Sequence, residues 1–262
     1  MTEHVTPPRR GSYGIDAPYV FGALSVMVVL FFAFTVVNGV QSGRWGPMIS
    51  VAIMMFILTF VFHTTLRGKF LVWADLLDGL KLRGDERVLD LGCGRGAVLL
   101  MAAQHLTTGK AVGVDLWRGE DQSGNNADAT RRNAVAEGVA DRIELHTADM
   151  SALPFADASV DVIVSSLAIH NIPSAAGRRK AIDEAVRVLR PGGRLLIADI
   201  RGTRQHEVRL RELGMNDVAR RPLGWRFWWG GPWAATRLVS ATKPIGTGRP
   251  FPGSLIPAHG ST

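Results

Sequence analysis

The segment Val88–Gly96 (VLDLGCGRG) limits what this chain can fold into more than any other part of its sequence. An apolar run that contains Asp90 is followed by glycines at alternate positions, Gly92, Gly94 and Gly96. Glycine adopts backbone angles that other residues avoid, and it lets a ligand approach the main chain. The pattern predicts a buried strand that turns sharply into a helix beside a nucleotide-like ligand, and it indicates an enzyme.

Downstream of this segment, short β-branched runs alternate with helical stretches. The predicted strands are Arg87–Leu91, Ala111–Asp115, Ile143–Thr147, Val160–Ser165, Arg194–Ile200, Val218–Leu223 and Thr236–Ala241. The predicted helices are Ala97–Gln104, Asn126–Glu137, Ala175–Leu189 and Gln205–Leu213. This order predicts an α/β, Rossmann-like, seven-stranded and mostly parallel sheet with helices on both faces. Because no helix separates the last two strands, one of them should be antiparallel.

Two apolar segments precede this α/β domain. Residues 17–43 contain no charged residue, and Trp45–Leu66 is also free of formal charge. A membrane-spanning helix needs about 20 residues, and both segments reach that length. We therefore predict a transmembrane helical hairpin over residues 17–66. A signal peptide and a pair of buried core helices are the alternatives.

Basic residues predict the orientation of this hairpin. Arg9 and Arg10 precede it, only Arg44 lies between its two segments, and Arg67, Lys69, Lys81 and Arg83 follow it. The positive-inside rule puts both ends and the downstream domain in the cytoplasm, as in a multi-pass protein of the cell membrane. We expect Trp45 and Trp73 at the two membrane–water interfaces.

The size and charge of the chain fit this plan. Its 262 residues suffice for one α/β domain with an appendage. A net charge of +7, spread along the chain rather than packed in one block, favours an anionic membrane surface over nucleic acid as partner. We divide the chain into an N-terminal tail (1–16), the hairpin (17–66), a linker or lid helix (67–84), the catalytic domain (85–245) and a disordered tail (246–262). The only cysteine, Cys93, is interpreted as a small packing residue.

The glycines alone leave two cofactors open. Gly92–Ala97 also satisfies the dinucleotide pattern G-x-G-x-x-G/A, and Asp115 lies at the spacing of a ribose-binding acid. Asp90, however, is a poor neighbour for a pyrophosphate and suits a ligand that carries an ammonium group and a sulfonium. A further acid, Asp149, follows the third predicted strand. These acids favour S-adenosylmethionine over NAD.

Four segments then occur in one order between residues 88 and 200. They are VLDLGCGRG, AVGVD, TADMSALPFADASVDVIVSS and EAVRVLRPGGRLLIAD. In sequence, order and spacing they resemble the class I S-adenosylmethionine-dependent methyltransferases. The branch they resemble includes the ubiquinone/menaquinone-type enzymes of methyltransferase type 11 and other small-molecule methyltransferases.

The resemblance implies a role for the residues around the loop after the first predicted strand and for the acid that ends the second predicted strand. Asp90 and the backbone from Gly92 to Gly94 would hold the methionine moiety, and Gly96 would complete the cofactor loop. Asp115 would accept hydrogen bonds from both ribose hydroxyls.

The same resemblance implies an adenine site and a catalytic position. Leu116 would pack on the adenine, and Asp149 would bind its exocyclic nitrogen beside the Met150 backbone. Ser165, at the end of the fourth predicted strand, would face the reacting methyl group. No metal ligands are expected.

The chemistry requires few protein groups. Methyl transfer from a sulfonium is an in-line displacement, so the protein mainly positions the reactants and excludes water. Where the acceptor must lose a proton, His170 is the best candidate base, and the alternative is a histidine that caps or packs in its loop. Asn171, Asp199 and Arg201 are weaker candidates.

Two further features concern the acceptor. The N/D-P-P-Y/F type motif of many DNA-adenine and amide-nitrogen methyltransferases is replaced by SSLA, so no nucleic acid partner is expected. Gly224–Trp233 (GWRFWWGGPW) concentrates four tryptophans in ten residues. Tryptophan favours membrane–water interfaces, and we interpret this segment as a second membrane contact. An aromatic acceptor pocket and a hairpin packed on the sheet edge are the alternatives.

The sequence thus predicts a membrane-anchored methyltransferase that uses S-adenosylmethionine and acts on a lipophilic small molecule or a lipid. It leaves the acceptor atom open between oxygen, carbon and sulfur. Two other hypotheses stay open: an NAD(P)-dependent Rossmann oxidoreductase, and a catalytically inactive membrane scaffold with a methyltransferase fold.

Overall fold

The computed structural model describes residues 9–16 and 18–245. The tail predicted at 246–262 lies outside the described residues, as do residues 1–8 and 17. The helices are α1 (Pro18–Ser42), α2 (Met48–His63), α3 (Lys69–Leu80), α4 (Ala97–Gln104), α5 (Ala127–Ala136), α6 (Ala175–Val188) and α7 (Thr203–Glu212). The strands are β1 (Arg87–Leu91), β2 (Lys110–Asp115), β3 (Ile143–Thr147), β4 (Val160–Ser166), β5 (Leu189–Asp199), β6 (Asn216–Pro222) and β7 (Arg237–Thr242).

These strands form one seven-stranded sheet in the order β3-β2-β1-β4-β5-β7-β6. Strands β1 to β5 run parallel to one another, whereas β7 is antiparallel to both of its neighbours, β5 and β6. The predicted Rossmann-like sheet is therefore confirmed, including its antiparallel strand. The strand order reverses between β1 and β4, and open α/β sheets bind ligands at the carboxyl ends of the strands at such a point.

The core lies on both faces of the sheet. One face packs against α3 and α4 through side chains such as Leu77 and Leu99, and the other packs against α6 through Ile182, all three fully buried. Full burial of a leucine or isoleucine contributes roughly 1.5–3 kcal/mol, so the two layers hold the strand ends in fixed positions. The loops at these ends are the part of the fold that forms the candidate site.

Strand β5 starts earlier than predicted. The prediction begins at Arg194 because Pro191-Gly192-Gly193 is typical of a turn, but the strand begins at Leu189, which pairs with Val160. The register shifts between Val160 and Val162, whose partner is Arg194. The Pro-Gly-Gly segment is therefore an irregular insertion within the strand.

The two apolar segments form an antiparallel helical hairpin. Phe21 near the start of α1 lies 5.2 Å from Phe62 near the end of α2, so both ends of the hairpin meet on the same side. Both helices are long and apolar enough to cross a membrane. Little of either apolar stretch is buried within the protein: 11% for the apolar stretch of α1 and 22% for that of the helix Met48–Leu80.

The second apolar helix does not end at Leu66. It continues through a π-helical turn, Thr64–Gly68, directly into α3, so Met48–Leu80 is continuous. Trp73 in α3 is 1% exposed and packs in the core, which corrects its predicted place at a membrane interface. Trp45, in contrast, lies at the turn of the hairpin and is half exposed.

Candidate active site

A cleft opens at the carboxyl ends of β1, β2 and β4, where the strand order reverses. Seven of the predicted cofactor residues line it: Asp90, Gly92, Gly94, Asp115, Leu116, Asp149 and Met150. The topology brings them together, because they lie at the carboxyl ends of three different strands, β1, β2 and β3, or in the loops that follow.

The loop that follows β1, residues 92–96 (the glycine loop), requires glycine at positions 92 and 94. Gly92 has φ +73°, and a Cβ there would lie 2.2 Å from the Cβ of Ala168. Gly94 has φ +51°, and a Cβ there would lie 2.6 Å from Oε1 of Gln122. Other side chains would therefore be strained and would displace the opposite wall of the cleft.

Gly96 has a different role from the predicted one. It is the N-cap residue of α4 with φ +86°, and a Cβ there would meet Thr130 and Leu100 inside the domain. It is absent from the lining of the cleft as the structure describes it. Gly96 therefore has a structural role: it allows α4 to begin close to Thr130 and Leu100.

Asp90 carries the unusual electrostatics of the site. It is 2% exposed, and its Oδ1 atom has no hydrogen-bond partner among the described residues. Burial, with a further contribution from the nearby Asp115 carboxylate, raises the pKa of Asp90 to about 8. An unpaired buried carboxyl oxygen that borders an open cleft suits a cationic ligand group. The residues therefore fit the ammonium end of S-adenosylmethionine.

Asp115 is fixed in place by the backbone. Its Oδ2 accepts a hydrogen bond from Gly94 N at 2.8 Å, and its Oδ1 accepts one from Trp117 N at 2.6 Å. A carboxylate oxygen has two lone pairs, so Oδ2 retains one acceptor site, whereas Oδ1 also accepts a long hydrogen bond from Asn125 Nδ2 at 3.4 Å that a ligand hydroxyl would replace. The pair matches two adjacent ribose hydroxyls.

The positions predicted around the adenine line one side of the cleft. Leu116 is 44% exposed, which leaves an apolar surface open to a ring. Asp149 accepts a hydrogen bond from Ser151 N at 2.8 Å, and this bond holds the pKa of Asp149 below its usual range. Asp149 is therefore an ionised acceptor beside Met150.

Ser165 does not face the cleft, which corrects the catalytic role predicted for it. It is 1% exposed, and its hydroxyl donates to the Leu91 carbonyl at 2.9 Å. Successive side chains of a strand point to opposite faces, and β4 runs one residue further than predicted. Ser166 lines the cleft instead, and its Oγ accepts a hydrogen bond from Trp73 Nε1 at 2.9 Å.

His170 lies beside the cleft in a short 3₁₀ turn. Its Nδ1 is 2.6 Å from Oδ1 of the fully buried Asp199, although the two are not aligned for a straight hydrogen bond. Asp199 Oδ2 also accepts the backbone N–H of His170 at 3.1 Å. The flanking residue Asn171 lines the cleft, and the His170 side chain is 18% exposed. His170 itself is not among the described residues that line the cleft, although Ala168 and Asn171 on either side of it are. The Asp199 carboxylate thus lies against an imidazole in the segment that borders the cleft.

An N-terminal strap, residues 9–16, borders another side of the cleft and was not predicted from the sequence. Asp16 forms an ion pair with Lys69 at 2.6 Å, and both residues line the cleft. Gln122 Nε2 donates to Tyr13 O at 3.0 Å and to Asp16 Oδ1 at 3.1 Å. These contacts join residues more than 50 positions apart, so no local pattern indicates them.

Glu137 anchors the strap away from the cleft. Its Oε1 accepts hydrogen bonds from Arg10 N at 2.9 Å, Gly11 N at 2.8 Å and the Tyr13 hydroxyl at 2.9 Å. The strap leads directly into α1, so it connects the first apolar helix to the cleft.

The aromatic loop, residues 224–233, packs against the junction of α2 and α3. Trp228 stacks on Phe60 at 6.2 Å, and Trp225 stacks on His63 at 5.3 Å. Gly68 is required at this junction, because a Cβ there would overlap the Arg226 carbonyl oxygen. No residue of the loop is among the described residues that line the cleft, so an aromatic acceptor pocket is ruled out for that cleft.

Comparison with known proteins agrees with this geometry. Residues 89–197 match the family described as "Methyltransferase domain". A ubiquinone/menaquinone biosynthesis C-methyltransferase from Roseobacter denitrificans is 33% identical over 167 residues, which are 63% of this chain and 62% of that protein. A 27-O-demethylrifamycin SV methyltransferase from Amycolatopsis mediterranei is 35% identical over 53% of this chain and 50% of its own length. The chain thus spans between half and two thirds of these relatives.

Solved structures share the fold at lower identity. A geranyl diphosphate C-methyltransferase from Streptomyces coelicolor, solved with Mg²⁺, geranyl diphosphate and S-adenosyl-L-homocysteine, has a TM-score of 0.52 and 17% identity over 65% of this chain and 77% of its own. The [4+2]-cyclase SpnF has a TM-score of 0.54 and 21% identity over 66% of this chain and 80% of its own. A cyclase and a methyltransferase thus share this fold, and likeness of fold does not by itself define the reaction. Residues 89–197 are thus similar to a methyltransferase domain, and the observed sheet order is that of the Rossmann-like methyltransferase fold.

Proposed function

We propose that this protein is a membrane-anchored methyltransferase that uses S-adenosylmethionine. The observation that carries the proposal is Asp90, a buried carboxyl group with an unpaired oxygen at the cleft between the glycine loop and Asp115. In its ionised form Asp90 would hold an ammonium group, which can displace the proton of this acid, whereas a pyrophosphate would be repelled by the carboxylate. The matches to methyltransferases support the same choice over a nicotinamide cofactor.

The chain's residues would bind and orient the cofactor as follows. S-adenosylmethionine supplies an activated methyl group on a sulfonium. Asp90 and the Gly92–Gly94 backbone hold the methionine end, Asp115 accepts from the ribose hydroxyls, and Leu116 and Asp149 bind the adenine. Lys69 and Asp16 close the cleft and exclude water.

His170 would act on the acceptor. Nδ1 lies against the Asp199 carboxylate, so Nε2 remains as the atom that accepts a proton from the acceptor's hydroxyl, thiol or activated carbon. Asp199 orients the ring and stabilises the imidazolium that forms. Ser166, rather than Ser165, is the hydroxyl at the cleft.

The apolar hairpin supports a site at a membrane. The helices α1 and α2 expose large apolar side chains over most of their surface, which soluble proteins avoid and lipid accommodates. The aromatic loop packs on α2, and Trp225 and Trp233 are 54% and 73% exposed. The loop follows β6 and precedes β7, so it lies at the same edge of the sheet as the cleft. The basic residues that flank the hairpin support a cytoplasmic position for this edge.

This arrangement supports a lipophilic acceptor, either a small molecule or a lipid. A substrate dissolved in the membrane would reach the cleft without crossing water, and anchoring raises its effective concentration at the site.

The test is transfer of label from methyl-labelled S-adenosylmethionine into a native membrane extract, with mass spectrometry of the organic phase. We expect labelled product with the wild-type protein and little with Asp115→Ala. Binding of the cofactor with no labelled product from any membrane fraction would favour the inactive scaffold.

A further inference from the structure

A second groove lies between α6 and α7, outside the cleft. It has a volume of about 520 Å³. It shares none of the described residues that line the cleft. Six of its lining residues carry the argument: Ala175, Arg178, Ile182, Arg204, His206 and Val208.

The groove carries uncompensated positive charge. Arg179 and Arg209, which also line it, are paired with Glu212 at 2.8 and 2.9 Å. Arg178, in contrast, donates only to the carbonyl oxygens of Ile172 and Pro173. Arg204 forms no hydrogen bond or ion pair with any residue that the structure describes. Two guanidinium groups are therefore available to an anion.

His206 adds a buried donor without a partner. It is 2% exposed, and its Nε2 has no hydrogen-bond partner within the described chain. Burial lowers the pKa of His206, although the Asp199 carboxylate nearby opposes this, so the imidazole is neutral and can donate through one nitrogen. His206 lines the groove, so a molecule bound there could supply the hydrogen bond that this buried atom lacks.

The ring of His206 lies at the start of α7. A Cβ built on Gly202, the N-cap residue of that helix, would be 3.2 Å from His206 Nε2. No side chain among the described residues caps the α7 N-terminus, so its first backbone N–H groups remain donors. Such a helix end attracts phosphate groups.

The floor of the groove is apolar. Ala175, Ile182 and Val208 line it, and Val208 is 47% exposed. We propose that this groove binds an organic phosphate, with the phosphate at Arg178, Arg204, His206 and the α7 N-terminus and the alkyl part on the apolar floor. The inference goes beyond the proposed methyl transfer and does not depend on it.

The groove and the cleft share a wall. Arg178 donates to the carbonyl oxygens of Ile172 and Pro173 at 2.6 and 3.0 Å, and both of these residues line the cleft. A phosphate bound at Arg178 would therefore contact the segment that connects the two sites.

The test is calorimetric titration of the full chain in neutral detergent with hexyl phosphate, inorganic phosphate and hexanol. We expect hexyl phosphate to bind more tightly than inorganic phosphate, and hexanol not to bind. Equal affinity for the two phosphates, or no binding of either, would overturn the proposal.

Two variants locate the site. Arg204→Glu and His206→Phe should each weaken hexyl phosphate binding about tenfold or more, because each removes a hydrogen bond to a charged group. Arg132→Glu, the same charge change on exposed α5, should leave it unchanged. S-adenosylhomocysteine binding and the thermal unfolding of each variant verify the fold. If Arg132→Glu loses as much affinity for hexyl phosphate as the groove variants, the binding is not specific to the groove. If a folded Arg204→Glu keeps the wild-type affinity, the phosphate binds elsewhere and the proposal is wrong.

A further arm distinguishes two sources of the phosphate. The protein is placed in nanodiscs of neutral lipid with or without phosphatidic acid. Loss of hexyl phosphate binding in the phosphatidic acid discs would support a lipid headgroup as the occupant, and unchanged binding would support a soluble organic phosphate.

Discussion

At the scale of single residues, Asp90 couples cofactor binding to pH. Its pKa of about 8 in the folded protein is above the ordinary value of 3.8. Because the folded-state value is raised, this group's contribution to stability is present below the unfolded pKa and is lost as the pH rises through about 8. Near neutral pH the ligand-free protein therefore holds a proton on Asp90.

A cationic ligand should expel this proton. We expect the affinity for S-adenosylhomocysteine to rise between about pH 6 and pH 7.5, with proton release on binding that approaches one per site. Calorimetry in buffers of different ionisation enthalpy measures the release. In Asp90→Asn the release should vanish and binding should weaken. An affinity of the wild-type protein that does not change over this pH range would contradict the role of Asp90.

His170 and Asp199 make a second residue-scale prediction. His170→Ala should lower kcat by about 10²–10⁴ if the acceptor loses its proton to the imidazole. Asp199→Asn should lower kcat and shift its pH profile, because the ring would lose its orienting charge. His146→Ala, a partly exposed histidine on β3, is the control. A kcat of His170→Ala equal to that of the wild type would leave His170 with a packing role only.

The sequence predicted the cofactor residues better than the catalytic ones. Asp90, Gly92 and Asp115 lie at or just after the ends of strands, so their position depends mainly on where a strand ends. The choice between Ser165 and Ser166 depends on which face each side chain takes, and a difference of one residue reverses it. The contact of His170 with Asp199 spans 29 positions, so only the tertiary structure reveals it.

At the scale of elements, the N-terminal strap should control how long the cofactor stays bound. Glu137→Ala removes the acceptor of three strap hydrogen bonds without touching the cleft. We expect S-adenosylhomocysteine to dissociate about tenfold faster, since each net hydrogen bond contributes about 1 kcal/mol. Stopped-flow or surface plasmon resonance measures the rate. Asp141→Ala, an exposed acid elsewhere in the domain, is the control, and an unchanged rate in folded Glu137→Ala would contradict the strap's role.

The bounds of helices and strands with a strong local sequence pattern were predicted correctly. The bounds and burial of the other elements depend on the elements that pack against them. Helix α4 and strands β1 and β3 have the predicted bounds, because glycines and β-branched runs delimit them. Helix α3 was misinterpreted. Its buried residues Phe70, Trp73, Leu77 and Leu80 recur at helical spacing, which indicates a core face, but Trp73 alone suggested an interface.

At the scale of the whole molecule, the hairpin should hold the protein in a membrane. We expect the full chain to stay in the membrane pellet after alkaline carbonate extraction, because carbonate does not release helices that span the bilayer, as we propose for α1 and α2. In intact cells the methyltransferase domain should resist external protease, and in inverted vesicles it should be cleaved. Release into the supernatant would contradict insertion, and cleavage from outside the cell would contradict the cytoplasmic orientation.

The central claim is that the cleft is built for S-adenosylmethionine and not for a nicotinamide. The most direct measurement is calorimetric titration of the full chain with S-adenosylhomocysteine and, separately, with NADH. We predict binding of S-adenosylhomocysteine alone. Asp115→Ala should weaken it by roughly 2–4 kcal/mol, because two ribose hydroxyls lose their acceptors, while Asp128→Ala leaves it unchanged. Tight binding of NADH with none of S-adenosylhomocysteine would contradict the account.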